Sequence, residues 1–243
     1  MDAIILAAGY ATRLYPLTKN MPKPLLKVAG RPIIEHIVNK LEQIDIISKV
    51  YIVTNNKFEQ NFIKWLNNFD TKKQIEIIND GTKSNDDRLG ALGDVYCTIK
   101  TKNIDNDLIV IAGDNLFEMF LKEVVAIFKN INNNLVVLHD VKDPELAKNY
   151  GVADVKDNIV VDFQEKPENP KSTLISTGIY LFPKRTIPLI KKYVDEGNNP
   201  DKSGSFIEWL YGIDKVYTYV TNKKWFDIGS FEQLEKANKH FMA

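Results

Sequence analysis

The sequence predicts an α/β protein: a Rossmann-like, mostly parallel sheet flanked by helices, with a β-rich lobe in the later part of the chain. Three observations predict it. Apolar strands alternate with segments of helical periodicity up to about residue 130. Four of those strands are nearly continuous apolar runs, the pattern of a sheet buried on both faces. Beyond residue 134 strand-like segments dominate.

In chain order, residues 3–8 (AIILAA) form an apolar strand, and 31–44 carry Ile33, Ile34, Ile37, Val38, Leu41 and Ile44 at helical spacing. A strand follows at 49–54, then an amphipathic helix at 58–69 through Phe58, Phe62, Trp65, Leu66 and Phe69. Residues 74–78 read as a short strand, 90–100 as a helix after a polar loop, 107–112 as a strand and 117–130 as a helix. The later strands are expected at 134–139, 151–155, 158–164, 174–182 and 215–220, with a tight turn at Asp157-Asn158 and helices at 206–211 and 231–242. The polar segment 195–204 (DEGNNPDKSG) reads as a mobile surface loop. The expectation is one compact unit with the β-rich lobe inserted around the later strands.

The chain has 243 residues, enough for a large single core. Its 32 basic and 32 acidic residues cancel, and no Lys/Arg block is present, which argues against a nucleic-acid partner. A small polyanion needs only two or three local cations and stays compatible. The single cysteine, Cys97, cannot form an internal disulfide and fits a reducing cytoplasm. Met1-Asp2-Ala3 lacks the basic region of a signal peptide, and no apolar run approaches the ~18 residues of a membrane span. A cytoplasmic location with no membrane partner is therefore expected.

The stretch LAAGYATRLYPLTKNMPKPLL, residues 6–26, runs directly from the first strand into a loop with Gly9, Thr12, Arg13 and Lys23. A strand followed by a glycine-containing basic loop suits phosphate at the carboxyl edge of a sheet. Successive backbone N–H groups form an anion nest, Arg13 supplies a bidentate fork and Lys23 a point charge. Neither G-x-x-x-x-G-K-[ST] nor G-x-G-x-x-G is present, so a P-loop is excluded and a dinucleotide-dependent dehydrogenase disfavoured. Two further segments carry acids: IVIAGDNLFE (109–118) sets Asp114 at the end of a strand, and WFDIGSFEQ (225–233) sets Asp227 before Gly229 and a helix. Each has the setting of a hard-cation ligand, and magnesium takes one or two carboxylates plus waters and substrate phosphates.

The opening stretch resembles the signature of the sugar-nucleotide pyrophosphorylases, the family of glucose-1-phosphate thymidylyltransferase. That signature, L-A-[AG]-G-x-G-T-R-L-x-P-L-T, then P-K-[PQ]-L-[LI], then K-P-[IM], matches Leu6 to Thr18, Pro22 to Leu26 and Arg31-Pro32-Ile33. Ala11 replaces a family glycine. The resemblance extends over nearly the whole chain. It implies one nucleotidyltransferase domain over 1–243, with residues 1–130 binding the nucleotide and 131–243 the sugar phosphate.

The resemblance makes Asp114 and Asp227 the ligands of Mg2+, the implied cofactor. It places Leu6, Ala8, Gly9, Thr12, Arg13, Lys23 and Asp114 around the nucleoside triphosphate. The family's Gln-Pro base loop is absent here; the segment 79–94 offers Gly81 and Asn85 for a pyrimidine edge, Asp86, Asp87 and Arg88 as a solvated turn, and Gly90 and Gly93 as points where backbone could lie against the base. The family's sugar-phosphate pocket corresponds to Tyr150-Gly151-Val152, Glu165-Lys166-Pro167 and the strand with Thr177 and Gly178, Lys166 holding the acceptor's phosphate and Glu165 a sugar hydroxyl.

The implied reaction is attack of a sugar 1-phosphate on the α-phosphorus of an NTP, dTTP or UTP favoured. Arg13, Lys23, Asp114, Lys166 and Asp227 are the expected catalytic set. A phosphate monoester with a second pKa near ~6 is dianionic at neutral pH, so no general base is required, and His36, His139 and His240 lie outside the phosphate motifs. Two alternatives stand beside this: a cytidylyltransferase for phosphocholine or a similar ester, using Trp209, Tyr211 and Trp225 around a quaternary ammonium, and a non-catalytic nucleotide sensor. A homo-oligomer is compatible with either.

Overall fold

The structure, a computed structural model, describes residues 1–242. Strand β1 (Asp2–Leu6) leads through the anion loop to a short hairpin, β2 (Lys27–Val28) and β3 (Arg31–Pro32), and into α1 (Ile33–Glu42). Then come β4 (Lys49–Thr54), α2 (Glu59–Leu66), β5 (Gln74–Asn79), α3 (Ala91–Lys102), β6 (Leu108–Ala112), β7 (Asn115–Phe117) and α4 (Leu121–Ile131). The second half adds β8 (Asn134–Asp140), α5 (Pro144–Ala147), β9 (Gly151–Lys156), β10 (Ile159–Glu165), β11 (Leu174–Phe182), α6 (Ile187–Asp195), α7 (Ser203–Leu210), β12 (Val216–Thr221), β13 (Trp225–Asp227) and α8 (Phe231–Met242).

Nine strands form one sheet in the order β5-β4-β1-β6-β11-β8-β12-β10-β9. The first four are mutually parallel, as the alternating pattern predicts. β11 and β10 run against the rest. The β-rich part therefore continues the first sheet instead of standing apart: β11 pairs with β6 through Ile179↔Ile111 to Phe182↔Leu108, one edge of the parallel half joined directly to the later strands. Asp157 and Asn158 both take left-handed backbone, φ 53 and 59, which makes the predicted two-residue turn between β9 and β10.

Why the strands read as unbroken apolar runs is visible in the core. Alternate residues of β1 face opposite sides: Ala3 and Ile5 join a cluster with α1, α2 and α4, whereas Ile4 joins one with α3, α6 and α7. Each such side chain, fully buried, contributes about 1.5–3 kcal/mol of burial free energy.

Three local expectations are corrected. Residues 117–130 contain the end of a short strand before the helix. The helix at 187–195 is not apparent from spacing, because Pro188 and a charged outer face obscure the stripe formed by Ile190 and Tyr193. And 195–204 is not a free loop. The N–H groups of Ala91 and Leu92 donate to the carbonyls of Asp201 (3.0 Å) and Pro200 (2.9 Å), so this strap supplies the acceptors that the first turn of α3 lacks. Arg88 adds an ion pair to Asp201 at 2.9 Å.

The strap passes directly over Gly90, at φ +81, where an added Cβ would sit 2.3 Å from the Asp201 Cα. Gly90→Ala should therefore cost more than about 1 kcal/mol and lower the Tm by more than roughly 2–4 °C. Thermal melts check this; an unchanged Tm would show that the strap does not bear on α3.

Candidate active site

The topology delivers separate segments to one edge of the sheet. β1 and β6 are parallel neighbours with Leu6 opposite Ala112, so the loops after both open at the same carboxyl edge. Gly113 permits this closeness: its N–H donates to the Leu6 carbonyl at 2.8 Å, and a Cβ there would lie 2.6 Å from that oxygen. β11 enters beside β6 with Thr177 and Gly178 at that edge, and the Asn115 side-chain amide donates to the Thr177 carbonyl. β9 and β10 pair Gly151 with Glu165. Finally β13 pairs with β7, Asp227 opposite Asn115, and the Ile228 N–H donates to the Asp114 carbonyl at 3.2 Å. That three-residue ladder brings Asp227 beside Asp114 across more than a hundred residues of chain.

The result is a cleft of about 1070 Å³. Leu6, Gly9, Thr12, Arg13, Lys23, Asn85 and Asp114 line it, and so do Tyr150, Gly151, Glu165, Lys166, Thr177, Gly178 and Asp227. Two expected residues lie off it. Ala8 is buried beneath the loop, its carbonyl taken by the Asn55 amide at 2.7 Å. Gly81 sits in a turn closed by its own N–H donating to Asn79 Oδ1. Gly90 and Gly93 also miss the cleft, because the backbone packed over them is the strap, not a ligand. None of the three histidines lines the cleft; His36 and His139 meet backbone carbonyls and His240 meets Glu118.

Arg88, expected as a solvated turn residue, lines the cleft, as do Tyr10, Trp225 and the strap residues Lys202, Ser203 and Gly204. The strap's Gly/Asn/Pro composition concealed these last three.

Electrostatics bind the centre together. Lys23 donates to Asp114 at 2.5 Å. Burial first, then the Asp114 charge, pushes the Asp227 carboxyl up to about 6, against the pull of Lys23 and Arg13. Burial and the neighbouring Asp227 push the Tyr150 phenol up to about 12, so it remains a neutral donor to that carboxylate. Burial also raises the Glu165 carboxyl, opposed by Lys202, whose Nζ lies 4.0 Å away, and by Lys166. Lys166 itself has left-handed backbone, φ 54, with its N–H on the Tyr150 carbonyl. Ala11 takes the same region at φ 48, where the related signature has glycine.

Two half-buried, mutually repelling carboxylates on a cleft wall fit a hard divalent cation that completes its shell with phosphate oxygens and water. No group of three or more His, Cys, Asp or Glu able to hold a metal occurs among the described residues, so a closed all-protein cage is not what this site offers.

A model of the nucleotidyl transferase family matches residues 2–243. The chain belongs to that family. Among curated nucleotidyl transferase relatives, the bifunctional protein GlmU of Methanocaldococcus jannaschii is 35% identical over 243 residues, and that of Methanococcus aeolicus 34%. This chain is covered fully but spans only 54% of the length of either. Among solved structures, a Bacillus anthracis protein assigned as a glucose-1-phosphate thymidylyltransferase, in complex with sucrose, superposes with a TM-score of 0.83 at 27% identity, covering 100% of this chain and 95% of that one. A UDP-glucose pyrophosphorylase complexed with UDP-glucose superposes at 0.81 over 99% and 97% of the two chains; at 20% identity it establishes the fold alone. No helix among the described residues of this nucleotidyl transferase is long and apolar enough to cross a membrane.

The raised Asp227 carboxyl has a stability consequence. Its folded value lies above the unfolded one, so the stability it lends at low pH is lost as pH rises from about 4 to about 6. In ligand-free, chelator-treated protein, Asp227→Asn should gain on wild type over that window and hold the gain above it. The expected size is on the order of 1–2 kcal/mol, a few degrees in Tm. Parallel melting curves at every pH would refute the charge crowding.

Proposed function

We propose that this nucleotidyl transferase joins a nucleoside triphosphate, dTTP or UTP, to a sugar 1-phosphate, forming an NDP-sugar and releasing pyrophosphate. The observation that carries this reading is the convergence of Arg13, Lys23, Asp114, Lys166 and Asp227, from four separate segments, on one cleft. The nucleotide half supplies an anion loop, and the opposite wall supplies a buried carboxylate flanked by lysines. A triphosphate beside a phosphorylated, hydroxyl-bearing acceptor matches both.

Asp114 and Asp227 would hold Mg2+. When bound, it supplies charge neutralisation at the α-phosphate and its attacker. The chain's own groups do the rest. Backbone N–H groups after Gly9 and the Arg13 guanidinium hold the β,γ-phosphates and stabilise charge as pyrophosphate leaves. Lys23, already on Asp114, keeps that carboxylate oriented toward the cleft. Lys166 aims the acceptor phosphate for in-line attack, and Glu165 accepts from a sugar hydroxyl. No side chain removes a proton, since the attacking phosphate is already ionised.

The pyrimidine preference draws on the likeness to the thymidylyltransferase-assigned structure. The quaternary-ammonium alternative is weakened by placement. Trp209 packs on Phe206 and Tyr193, and the Tyr211 hydroxyl points to Asp162, leaving only Trp225 of the three on the cleft.

Purified protein with Mg2+ should release pyrophosphate when dTTP or UTP is combined with glucose, mannose or N-acetylglucosamine 1-phosphate. Asp114→Asn and Arg13→Ala should each lower that rate by on the order of 10²–10³ with unchanged circular dichroism. Turnover only with phosphocholine would favour the rival acceptor. Wild-type rates in both variants would reject the assigned roles, and nucleotide binding without any turnover would favour the sensor.

A further inference from the structure

Below the nucleotide wall lies a pair of acids that the proposed reaction does not use. Asp94, in the first turn of α3, is 6% exposed. Its side chain meets that of Asp80, in the turn after β5. Asp94 Oδ1 and Asp80 Oδ2 are both buried, and neither meets a donor among the described residues. Two ionised carboxylates cannot rest together in such a place, whereas one proton between them turns repulsion into a charge-assisted O–H···O bond.

Asp80 is also where the loop is tied down. Its Oδ1 accepts from the Thr82 N–H at 2.7 Å and the Thr82 hydroxyl at 2.8 Å. The Thr82 carbonyl accepts from the Asn56 N–H, and the Thr82 hydroxyl lies 3.4 Å from the hydroxyl of Tyr10, a cleft residue of the anion loop. Asn85 and Arg88, further along the same loop, form part of the cleft wall.

We propose that Asp80 and Asp94 share a single proton, and that this bond latches the loop of residues 80–90 to α3 and to Tyr10, making Asp94 a positioning residue for the nucleotide. Loss of the proton opens the latch and weakens nucleotide binding. The ligand's identity rests on the function proposed above; the latch itself does not.

The surroundings define where the latch titrates. Asp87 on the same loop adds negative charge toward Asp80, Cys97 on α3 lies near both acids, and Lys100 adds positive charge toward Cys97. Burial and then Asp80 push Asp94 up to about 8, a value that belongs to the pair as a unit. Burial raises both the Tyr10 phenol and the Cys97 thiol above their ordinary values.

The test uses Asp94→Asn and Asp80→Asn, each of which replaces the shared proton with an amide donor that cannot ionise. Binding of Mg2+–UTP and Mg2+–dTTP is titrated calorimetrically from pH 6.5 to 9, and amide exchange of the 80–90 peptide is followed without nucleotide. Wild-type affinity should fall through the alkaline range, approaching tenfold per pH unit above the midpoint. The variants should match wild type at pH 6.5 and change little above it. Exchange of the loop in wild type, relative to Asp94→Asn at the same pH, should rise over the same interval. Identical pH dependence in all three proteins, in both measurements, would overturn the latch. Absence of nucleotide binding in every protein at every pH would instead reject the proposed function, and the exchange ratio alone would then decide the latch.

Discussion

The architecture depends on holding two acids together that repel. Asp114 lies in the turn between β6 and β7 and Asp227 ends the short β13, and the ladder between β13 and β7, with the Ile228 N–H on the Asp114 carbonyl, holds them side by side. The Asp114 charge disfavours ionisation of Asp227, on top of the cost of its burial. Lys23 and Arg13 offset part of this, and the Tyr150 hydroxyl part of the rest. What is left over is unneutralised negative charge, the demand that the proposed metal-bound polyphosphate would meet. Stability is conceded at the cleft, and the two buried faces of the sheet supply it elsewhere.

Mixed strand direction gives the cleft its two walls. Parallel β1 and β6 present their carboxyl ends, with backbone N–H groups and cations suited to phosphate. Antiparallel β11 brings the opposite wall to the same edge, with Ser176, Thr177 and Gly178 lining the cleft. The strap over α3 ties these walls: Pro200 and Asp201 cap a helix of the first half of the chain, while Lys202 and Gly204, close along the chain, line the cleft. The two walls of the cleft are thus parts of one packed unit.

Much of this was legible in the sequence. The anion loop is contiguous from Leu6 to Leu26, so its residue types and their order are read together, and strands buried on both faces announce themselves by unbroken apolar runs. Asp114 and Asp227 were identifiable from their local settings and from the resemblance, but not the device that joins them: three-residue strands carry no periodicity. The strap was misread because Gly, Asn and Pro signal a turn whether or not another helix needs the carbonyls. Ala8 followed its neighbours into the expected nucleotide set although its carbonyl belongs to Asn55. The Asp80–Asp94 contact has no signature at all, since an acid in a helix's first turn normally reads as a solvated dipole partner.

The account's central claim is that one metal–triphosphate sits between Asp114 and Asp227 with its phosphates on the loop after β1. Crystals grown with Mn2+ and a non-hydrolysable dTTP or UTP analogue address it most directly, because anomalous scattering locates the metal independently of the protein. The account predicts one anomalous peak within coordinating distance of both carboxylates, about 2.0–2.2 Å, and phosphate density against Gly9 to Arg13. A peak elsewhere, or a triphosphate seated away from that loop, would contradict it.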